Sequence, residues 1–289
     1  MHATPRREAY RAHLAGAACL HPGSVFDPIS ARIAEELGFE IGMFAGSIAS
    51  FTVLGAPDII ALTLSEFAAQ CHRINRAVSR LPLMVDADHG YGNAINVMRT
   101  VAELETAGVA ALTIEDTALP RGYAEAKPGL IGIDEGVGKM RAALAARQDK
   151  ALVVIGRTSA AGIAGKDEAV ARARAYQAAG VDGLFFAGGM SRPVLDALAE
   201  ATSIPLLLGG VPAEMLDLPY LASRRVRIAL QGHQPFSAAV QAVHATLKAL
   251  REGTKPADLP GIASAALMAR VTREADYAAH ARDFLGAAS

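Results

Sequence analysis

Four acidic side chains follow short apolar segments of the sequence, at positions where strands of a sheet would end. Asp86 and Asp88 follow one apolar segment, Glu115 follows the next, and Asp58 comes after an earlier one. If these segments are parallel strands, their carboxyl ends meet at one edge. Side chains two residues apart on a strand point the same way, so Asp86 and Asp88 are expected to share a face. Each carboxylate alone also fits a helix cap or a turn, but together Asp86, Asp88 and Glu115 predict a site for Mg²⁺ or Mn²⁺, which prefer oxygen ligands.

Other polar residues follow the remaining strand candidates and extend the predicted site. Arg157 offers a planar fork for a substrate carboxylate or phosphate, and an ion pair with Glu115 is the structural alternative. Gly46 and Ser47 are small enough for their backbone N–H groups to approach an anionic substrate. His233 is a candidate for binding a substrate oxygen or moving a proton, and a histidine with a purely structural hydrogen bond is the alternative.

Motifs for nucleophilic catalysis or nucleotide binding are not found. The sequence contains no G-x-S-x-G elbow and no P-loop. Cys71 lies on a predicted helix away from the strand ends, which indicates a packed thiol rather than a nucleophile. Cys19 is the only other cysteine, so a disulfide framework is excluded and a reducing, cytoplasmic setting is predicted.

Eight short apolar runs alternate with longer amphipathic segments along the chain. Continuous apolar runs are typical of buried parallel strands, and a period of 3.6 residues is typical of helices. The alternation predicts an α/β fold, a (β/α)8 TIM-type barrel that forms a single domain over residues 1–289. An open doubly wound sheet is the alternative, but it favours a G-x-G-x-x-G turn after the first strand, which HPGSVFDP is not. The predicted strands are Ala17–Leu20, Ile41–Ala45, Leu83–Val85, Ala111–Ile114, Leu152–Ile155, Gly183–Phe186, Pro205–Leu208 and Val226–Leu230. The predicted helices include Pro28–Leu37, Ser65–Arg80, Asn93–Thr106, Ile133–Arg147, Lys166–Ala178 and Arg192–Ala201.

Glycines mark the ends of three of these helices, at Gly38, Gly108 and Gly180. Glycine readily adopts the left-handed conformation that stops a helix, and an apolar residue follows each one. Two more helical segments, Pro235–Arg251 and Ser264–Leu285, come after the eighth strand. The second carries an apolar stripe, which predicts packing against another subunit; the stripe is Leu267, Val271, Ala278, Ala281 and Leu285.

Composition excludes several classes of protein. The chain has 289 residues with 28 Lys and Arg against 29 Asp and Glu, a formal net charge of −1. A nucleic-acid surface would need a clustered positive excess. Hydrophobic residues make up 52% of the chain, too many for a disordered protein. The longest uncharged stretch, Ile228–Leu247, contains glutamine, histidine and proline, so no membrane span is predicted. The N-terminal segment is typical of a first helix rather than of a signal peptide.

At these residues the sequence resembles the phosphoenolpyruvate mutase and isocitrate lyase superfamily, over nearly the whole chain. The most specific part is VDADHGYGNAINVMRTVAELETAGVAALTIED, which contains Asp86, Asp88 and Glu115. Further matches are SVFDPISARIAEELGFE, the AGS after strand two, GAPD with Asp58, and GRT with Arg157. DADHGYGNA and the QGH after strand eight resemble most the oxaloacetate decarboxylase branch of this superfamily.

The resemblance implies a role for each candidate residue. Asp86 matches the direct metal ligand, and Asp88 and Glu115 match carboxylates that hold metal-bound waters. Arg157 and His233 are implied to act on the substrate in catalysis. The cofactor implied is Mg²⁺, with Mn²⁺ as the alternative, and the substrate is a small 2-keto dicarboxylic acid. The positions implied to bind that substrate are Gly46, Ser47, Asp58, Arg157 and His233.

The same resemblance implies a quaternary structure. The family forms a homotetramer built as a dimer of dimers, in which subunits exchange the last helix of the barrel. The apolar stripe after strand eight agrees with such an exchange.

Differences from other branches favour decarboxylation. The lyases carry a Lys-Lys/Arg-Cys-Gly-His loop after strand four, whose cysteine is the general acid, and the mutases carry an asparagine in their mobile loop. The stretch from Thr117 to Lys127 contains neither. Two departures from the decarboxylase branch are Ser159, where relatives have Asn, Asp or Glu, and the apolar segment LLLGGVPAE.

We therefore predict Mg²⁺-dependent decarboxylation of oxaloacetate, or of a close 2-keto acid, to pyruvate and CO₂ through a metal-stabilised enolate. One alternative is a C–C or P–C bond lyase, mutase or hydrolase acting on a substituted malate or on phosphonopyruvate. A non-catalytic metabolite-binding barrel is the third hypothesis.

Overall fold

Eight parallel strands form the centre of the structure, a computed structural model that describes residues 3–127 and 129–286. The strands are hydrogen-bonded to one another in chain order, and helices connect each strand to the next. This order confirms the predicted α/β TIM-type barrel. The strands are β1 (Gly23–Ser24), β2 (Gly42–Phe44), β3 (Leu83–Asp86), β4 (Ala111–Glu115), β5 (Val153–Thr158), β6 (Gly183–Phe186), β7 (Leu206–Leu208) and β8 (Val226–Ala229).

The first strand lies further along the chain than predicted, so the assignment of Ala17–Leu20 was wrong. β1 pairs with β2, whereas Leu20 forms a single parallel bridge with Ile228 of β8. Pro22 lies between these two pairings and has no N–H to donate to a continuous ladder. The first strand position of the barrel is therefore divided between two segments. Leu20 closes the barrel against β8, and β1 pairs with β2.

Helices surround the strands, mostly within a residue or two of their predicted ends. The three predicted glycine stops are confirmed, since Gly38, Gly108 and Gly180 have φ of +83°, +85° and +96°. The predicted helix Ser65–Arg80 is shorter than expected, because it ends at Asn75. The helices before β8 are α1 (Thr4–Ala15), α2 (Pro28–Glu36), α3 (Gly46–Ala49), α4 (Leu64–Asn75), α5 (Ala94–Thr106), α6 (Ile133–Ala146), α7 (Ala160–Ile163), α8 (Lys166–Ala179), α9 (Arg192–Ala201) and α10 (Leu218–Ser223).

Short elements were missed by the sequence analysis. They include the four-residue helices α3 and α7, helix α10, and a π-helical turn at Ser50–Leu54. Elements of this length contain too few residues to show a helical period. Two of them, α3 and the π-helical turn, form the connection that follows β2 and reaches the mouth of the barrel.

The core lies inside the barrel and between the strands and their helices. Every residue of β4 is buried, and Phe44 of β2 stacks on Phe67 of α4 with ring centroids 5.4 Å apart. Cys71 is fully buried and Cys19 is nearly so, both as free thiols. The prediction that Cys71 is a packed thiol is confirmed.

Three helices follow β8 and lie mostly outside this core: α11 (Gln234–Arg251), α12 (Ala265–Thr272) and α13 (Glu274–Leu285). The single helix predicted from Ser264 to Leu285 was wrong, because Arg273 adopts a left-handed conformation with φ of +59° and separates α12 from α13. Val271 is buried, whereas Leu285 is 80% exposed, so the predicted stripe does not act as one surface. Within the described ranges, no helix is both long enough and apolar enough to cross a membrane.

Candidate active site

A cavity of about 620 Å³ opens at the carboxyl ends of the barrel strands. This is the end at which barrels of this kind carry their active sites. The structure brings the predicted site residues together here, although their roles as ligands stay predictions. The cavity is lined by Ser47, Asp58, Asp86, Asp88, Glu115, Arg157 and His233, and Gly46 lies directly against Asp88.

Asp86 is the last residue of β3 and stands at the centre of a polar network. Thr113 Oγ1 donates a hydrogen bond of 2.9 Å to Asp86 Oδ1, and the backbone N–H of Asp88 donates another of 3.2 Å. The second oxygen, Oδ2, is paired with the guanidinium of Arg157. Thr113 lies two residues before Glu115 on β4, so the same face of β4 presents both side chains to the site.

Asp88 lies beyond the end of β3 in a left-handed conformation with φ of +47°. The expected strand alternation is therefore not what places it at the cavity; the turn after β3 does. A Cβ atom on Gly46 would lie 2.7 Å from both carboxylate oxygens of Asp88, so any larger residue at position 46 would displace this carboxylate. Burial, followed by the charges of Asp86 and Glu115, raises the pKa of Asp88 well above its ordinary value.

Glu115 and Arg157 are paired in register on β4 and β5. Arg157 Nε lies 3.4 Å from Glu115 Oε2, and Thr117 Oγ1 donates a hydrogen bond of 2.9 Å to the same oxygen. Burial raises the pKa of Glu115; Arg157 lowers it in part and Asp86 raises it further. The guanidinium of Arg157 also lies 5.6 Å from the ring centre of Phe185. The ion pair considered as the structural alternative for Arg157 is thus present, and it orients this side chain.

The three remaining cavity residues come from loops and from a helix start. Ser47 is the second residue of α3, and Asp58 lies between the π-helical turn and α4. Burial and then the charge of Asp86 raise the pKa of Asp58, against a smaller lowering by Arg157. His233 precedes α11, and burial lowers the pKa of its imidazole.

A second polar cluster, buried behind the site, supports the loops that carry these residues. Asp116 Oδ2 accepts hydrogen bonds from Arg172 (2.9 Å) and from the hydroxyl of Tyr176 (2.6 Å). Lys139 of α6 donates a hydrogen bond of 3.0 Å to the carbonyl of His89. The cluster therefore braces the end of β4 and the turn after β3 from outside the barrel.

The polar lining of the cavity determines which cation it can hold. The lining contains four carboxylates against two guanidinium groups, those of Arg121 and Arg157, which leaves an excess of two negative charges when all are ionised. Across residues 3–127 and 129–286, however, no three His, Cys, Asp or Glu side chains converge as a full set of direct ligands. Mg²⁺ commonly uses one or two carboxylates and keeps several waters. The residues therefore fit a cation that is bound directly by one carboxylate and through water by the others.

Several supporting residues were missed by the sequence analysis. Thr113 could have been found, because it lies two residues before Glu115 and must share its face. Phe185 and Arg121 gave no polar motif that pointed to a site. Ser24 had no local signal either, since its hydrogen-bond partner, His233, lies 209 residues further along the chain.

A parallel (β/α)8 barrel with an acidic cavity at the carboxyl ends of its strands defines this chain as an enzyme of the TIM-barrel class. The family model described as phosphoenolpyruvate phosphomutase matches residues 9–251. The chain belongs to this family, which confirms the resemblance found in the sequence.

Known relatives and solved structures agree with this assignment. Proteins named oxaloacetate decarboxylase from Bradyrhizobium sp. (strain ORS 278) and Bradyrhizobium diazoefficiens are 61% and 60% identical to this chain, over 98% and 97% of both chains. A phosphonopyruvate hydrolase solved with oxalate and Mg²⁺ has a TM-score of 0.84 and 30% identity, covering 97% of this chain and 99% of its own. An oxaloacetate acetylhydrolase solved with 3,3-difluorooxalacetate has a TM-score of 0.85 and 26% identity, covering 99% of both.

Proposed function

We propose that this chain is a Mg²⁺-dependent enzyme that decarboxylates oxaloacetate, or a close 2-keto acid, to pyruvate and CO₂. The observation that carries the proposal is the acidic cluster of Asp86, Asp88 and Glu115, held with Arg157 in one cavity. Relatives that are 61% and 60% identical over nearly their whole length bear the name oxaloacetate decarboxylase. The prediction of a carboxy-lyase made from the sequence agrees with those names.

We assign Asp86 as the direct ligand of the cation, with Asp88 and Glu115 holding its water ligands. The similarity to a phosphonopyruvate hydrolase solved with oxalate and Mg²⁺ supports a divalent cation, and Mn²⁺ is the alternative. When bound, the cation supplies positive charge for the negative charge that develops on the keto oxygen of the substrate.

Arg157 binds a carboxylate of the substrate. Asp86, Glu115 and the ring of Phe185 hold its guanidinium, so its orientation is set before the substrate enters. Its charge is secure, because burial lowers the pKa of Arg157 but its acidic neighbours, chiefly Asp86 and Glu115, together raise it above its ordinary value. A fixed guanidinium fork matches the two oxygens of a carboxylate.

Gly46, Ser47 and Asp58 complete the binding of the substrate. Gly46 and Ser47 are the first two residues of α3. Their backbone N–H groups donate to a substrate oxygen as negative charge develops on that oxygen. Asp58 lines the same cavity from the loop that follows the π-helical turn. Because the substrate carries two carboxylates, the acidic lining tolerates it only when cationic groups are also present.

In the reaction, the bond between C3 and C4 of oxaloacetate breaks. Its electron pair forms the enolate of pyruvate, CO₂ leaves as a neutral molecule, and a proton then adds to C3. His233 orients the substrate or delivers that proton. A neutral leaving group needs no protein acid, which agrees with a Thr117–Lys127 stretch that contains no cysteine.

Pyruvate release by the purified protein with Mg²⁺ tests the proposal on a panel of oxaloacetate, alkylmalates and phosphonopyruvate. A protein-free reaction with the same Mg²⁺ is subtracted, because oxaloacetate also decarboxylates without enzyme. We expect turnover with oxaloacetate and a loss of about a hundredfold or more in Asp86→Asn. Asp134→Asn, on the exposed start of α6, is the matched control and should keep full activity.

Three results would contradict this proposal. Full activity in Asp86→Asn would exclude the assigned metal ligand. Turnover of an alkylmalate or of phosphonopyruvate in place of oxaloacetate would instead favour the lyase, mutase or hydrolase alternative. Binding of oxalate without turnover of any compound would favour the non-catalytic barrel.

We also propose that residues 1–289 form one domain and that the enzyme is cytoplasmic. Four subunits are proposed to assemble as a dimer of dimers by exchanging the last helix of the barrel. Exposed apolar residues on α11 support the exchange, because none of its described residues is buried within the subunit. The two free, buried thiols agree with a reducing compartment.

A further inference from the structure

Ser24 and His233 form a hydrogen-bonded pair at the edge of the active-site cavity. Ser24 is the last residue of β1, and its Oγ lies 2.8 Å from Nδ1 of His233. His233 lines the cavity that holds the acidic cluster. One ring nitrogen of His233 is therefore occupied by Ser24, and Nε2 is the nitrogen left to face a substrate.

The backbone around His233 fixes the position of this imidazole. Gly232 has φ of +83°, a conformation that favours glycine, and so produces a sharp turn just before His233. Three residues later, Phe236 stacks on Phe51 and meets the edge of Phe26, with ring centroids 5.7 Å and 5.5 Å apart. The start of α11 is thereby anchored to the segment after β1, which brings His233 within reach of Ser24.

The residues next to His233 in the sequence line a different cavity from the one that His233 lines. Gln231, Gly232 and Gln234 line a groove of about 380 Å³ outside the barrel, together with Ser24, whereas His233 turns inward. Ser24 thus lies in the wall between the groove and the active-site cavity. Its hydroxyl therefore contacts His233 from the side away from the active-site cavity and leaves the cavity free for a substrate.

The chemistry of a neutral imidazole determines what this contact can do. Burial lowers the pKa of His233, against a smaller raising by Asp86, and so favours the neutral ring. One nitrogen of a neutral imidazole then donates a hydrogen bond and the other accepts one. A 2-keto dicarboxylate offers only acceptor oxygens, so His233 can bind it only if Nε2 carries the hydrogen. Nδ1 must then accept a hydrogen bond, and the Ser24 hydroxyl is the donor beside it.

We propose that Ser24 is a positioning residue: its hydroxyl donates to Nδ1 of His233 and so holds the imidazole as the tautomer whose Nε2–H points at the substrate. This inference rests on the proposed function, because it concerns how His233 serves that reaction. The hydrogen bond from Nε2–H strengthens as negative charge develops on the substrate oxygen. Loss of Ser24 should therefore reduce kcat more than it changes KM.

The first test observes the tautomer directly and does not depend on which substrate the enzyme uses. ¹⁵N spectra of the full-length protein labelled at histidine separate a protonated ring nitrogen from a bare one, and His233→Gln identifies the His233 signals. We expect Nε2 protonated and Nδ1 bare in the wild type, and a shift of the Nδ1 signal in Ser24→Ala. A wild-type spectrum with Nδ1 protonated would overturn the proposal.

The second test separates positioning from a purely structural role. Ser24→Ala should lower kcat about five- to tenfold, the effect of one lost hydrogen bond, and should weaken oxalate binding in the presence of Mg²⁺ by a similar factor. Ser24→Thr keeps a hydroxyl and suits a strand, so it should restore both. Ser223→Ala removes an exposed hydroxyl that donates to a backbone carbonyl and should change neither.

The role of Ser24 can be tested even if the protein does not decarboxylate oxaloacetate. If no oxaloacetate is consumed by the wild type, the ¹⁵N spectra and oxalate titration still decide the role of Ser24. Unchanged kcat and oxalate affinity in Ser24→Ala would overturn it, as would failure of Ser24→Thr to restore them. Should Ser24→Ala not fold by circular dichroism, the wild-type spectrum and the Ser24→Thr kinetics still test the pairing.

Discussion

Asp88 lies in a left-handed backbone conformation just beyond β3, with its carboxylate packed against Gly46. A buried carboxylate beside two others costs folding free energy unless positive charge compensates it. The raised pKa of Asp88 reflects that cost. At the scale of single residues, we infer that this position serves the site rather than the stability of the fold.

Gly46→Ala tests how closely this carboxylate is placed. The added methyl group would meet both oxygens of Asp88, so Asp88 must move. We expect decarboxylase activity to fall about tenfold or more and the affinity for Mg²⁺ to weaken, while stability falls by only about 1 kcal/mol. Steady-state kinetics over a range of Mg²⁺ concentrations and urea unfolding of the metal-free protein measure these effects.

Gly138→Ala is the matched control for this substitution. Gly138 is inside α6, and apart from its chain neighbours and the nearby backbone of that helix, no heavy atom of the described residues lies within 4 Å of a Cβ added there. This variant should keep full activity and gain about 0.5–1 kcal/mol of stability, because alanine favours a helix interior. Equal Mg²⁺ affinity in Gly46→Ala and the wild type would show that Asp88 does not need its observed position.

Glu35 connects two secondary-structure elements, because it joins α2 to the segment that leads into β3. Its Oε1 accepts hydrogen bonds from the backbone N–H groups of Ser79, Arg80 and Leu81, at 2.9, 2.6 and 3.1 Å. Residues Ser79, Arg80 and Leu81 come just before β3, so these hydrogen bonds hold the beginning of β3 in place. The other end of β3 carries Asp86 and the active site. Lys139 braces the upper end of the same strand through His89.

The hydrogen bonds of Glu35 predict a pH-dependent contribution to stability. Burial raises the pKa of Glu35, but the backbone N–H groups and Arg273 together lower it below its ordinary value of 4.5. The folded state therefore binds fewer protons than the unfolded chain, so this stabilisation is present above pH 4.5 and is lost as the pH falls through the folded-state pKa. We expect Glu35→Gln to lower the free energy of unfolding by about 1–3 kcal/mol at neutral pH.

Urea denaturation of the wild type and Glu35→Gln from neutral to acidic pH measures this difference. The gap between the two proteins should shrink as the pH falls below the ordinary pKa of a glutamate. Glu40→Gln, at an exposed position, should show neither the loss nor the pH dependence. A gap that stays constant with pH would contradict the assignment to the ionised Glu35 carboxylate.

Helix α11 presents an apolar face that its own subunit leaves exposed. Val240, Val243, Leu247 and Leu250 are 52%, 58%, 62% and 40% exposed, and their spacing places them on one side of the helix. The apolar groove between α2 and the start of α11 lies on the same subunit. Such a face and such a groove on one chain agree with the proposed exchange of helices between subunits.

Leu247→Asp tests this assembly. A charge placed in a buried apolar interface costs several kcal/mol unless it is paired, so the variant should have a lower molar mass than the proposed wild-type tetramer. Light scattering after size-exclusion chromatography measures the mass. Gln241→Asp adds the same charge to the opposite side of α11 and should leave the tetramer intact. A monomeric wild type, or a tetrameric Leu247→Asp, would contradict the proposal.

Local patterns in the sequence were sufficient to predict most elements of the barrel. Apolar runs, helical periods and the stops at Gly38, Gly108 and Gly180 depend on neighbouring residues, so they can be read without tertiary contacts. The misplaced first strand and the unforeseen break at Arg273 have the opposite cause. Leu20 bridges a residue more than two hundred positions away, and a left-handed arginine carries no local signal.

The same distinction applies to the site. That Asp86, Glu115 and Arg157 meet at one end of the barrel follows from the sequence, because parallel strands bring their carboxyl ends to a common edge. The pairing of Arg157 with both acids and the place of Ser24 beside His233 became evident only in the folded chain. Strand order follows from alternating patterns along the chain, whereas these pairings depend on side chains that distant segments pack together.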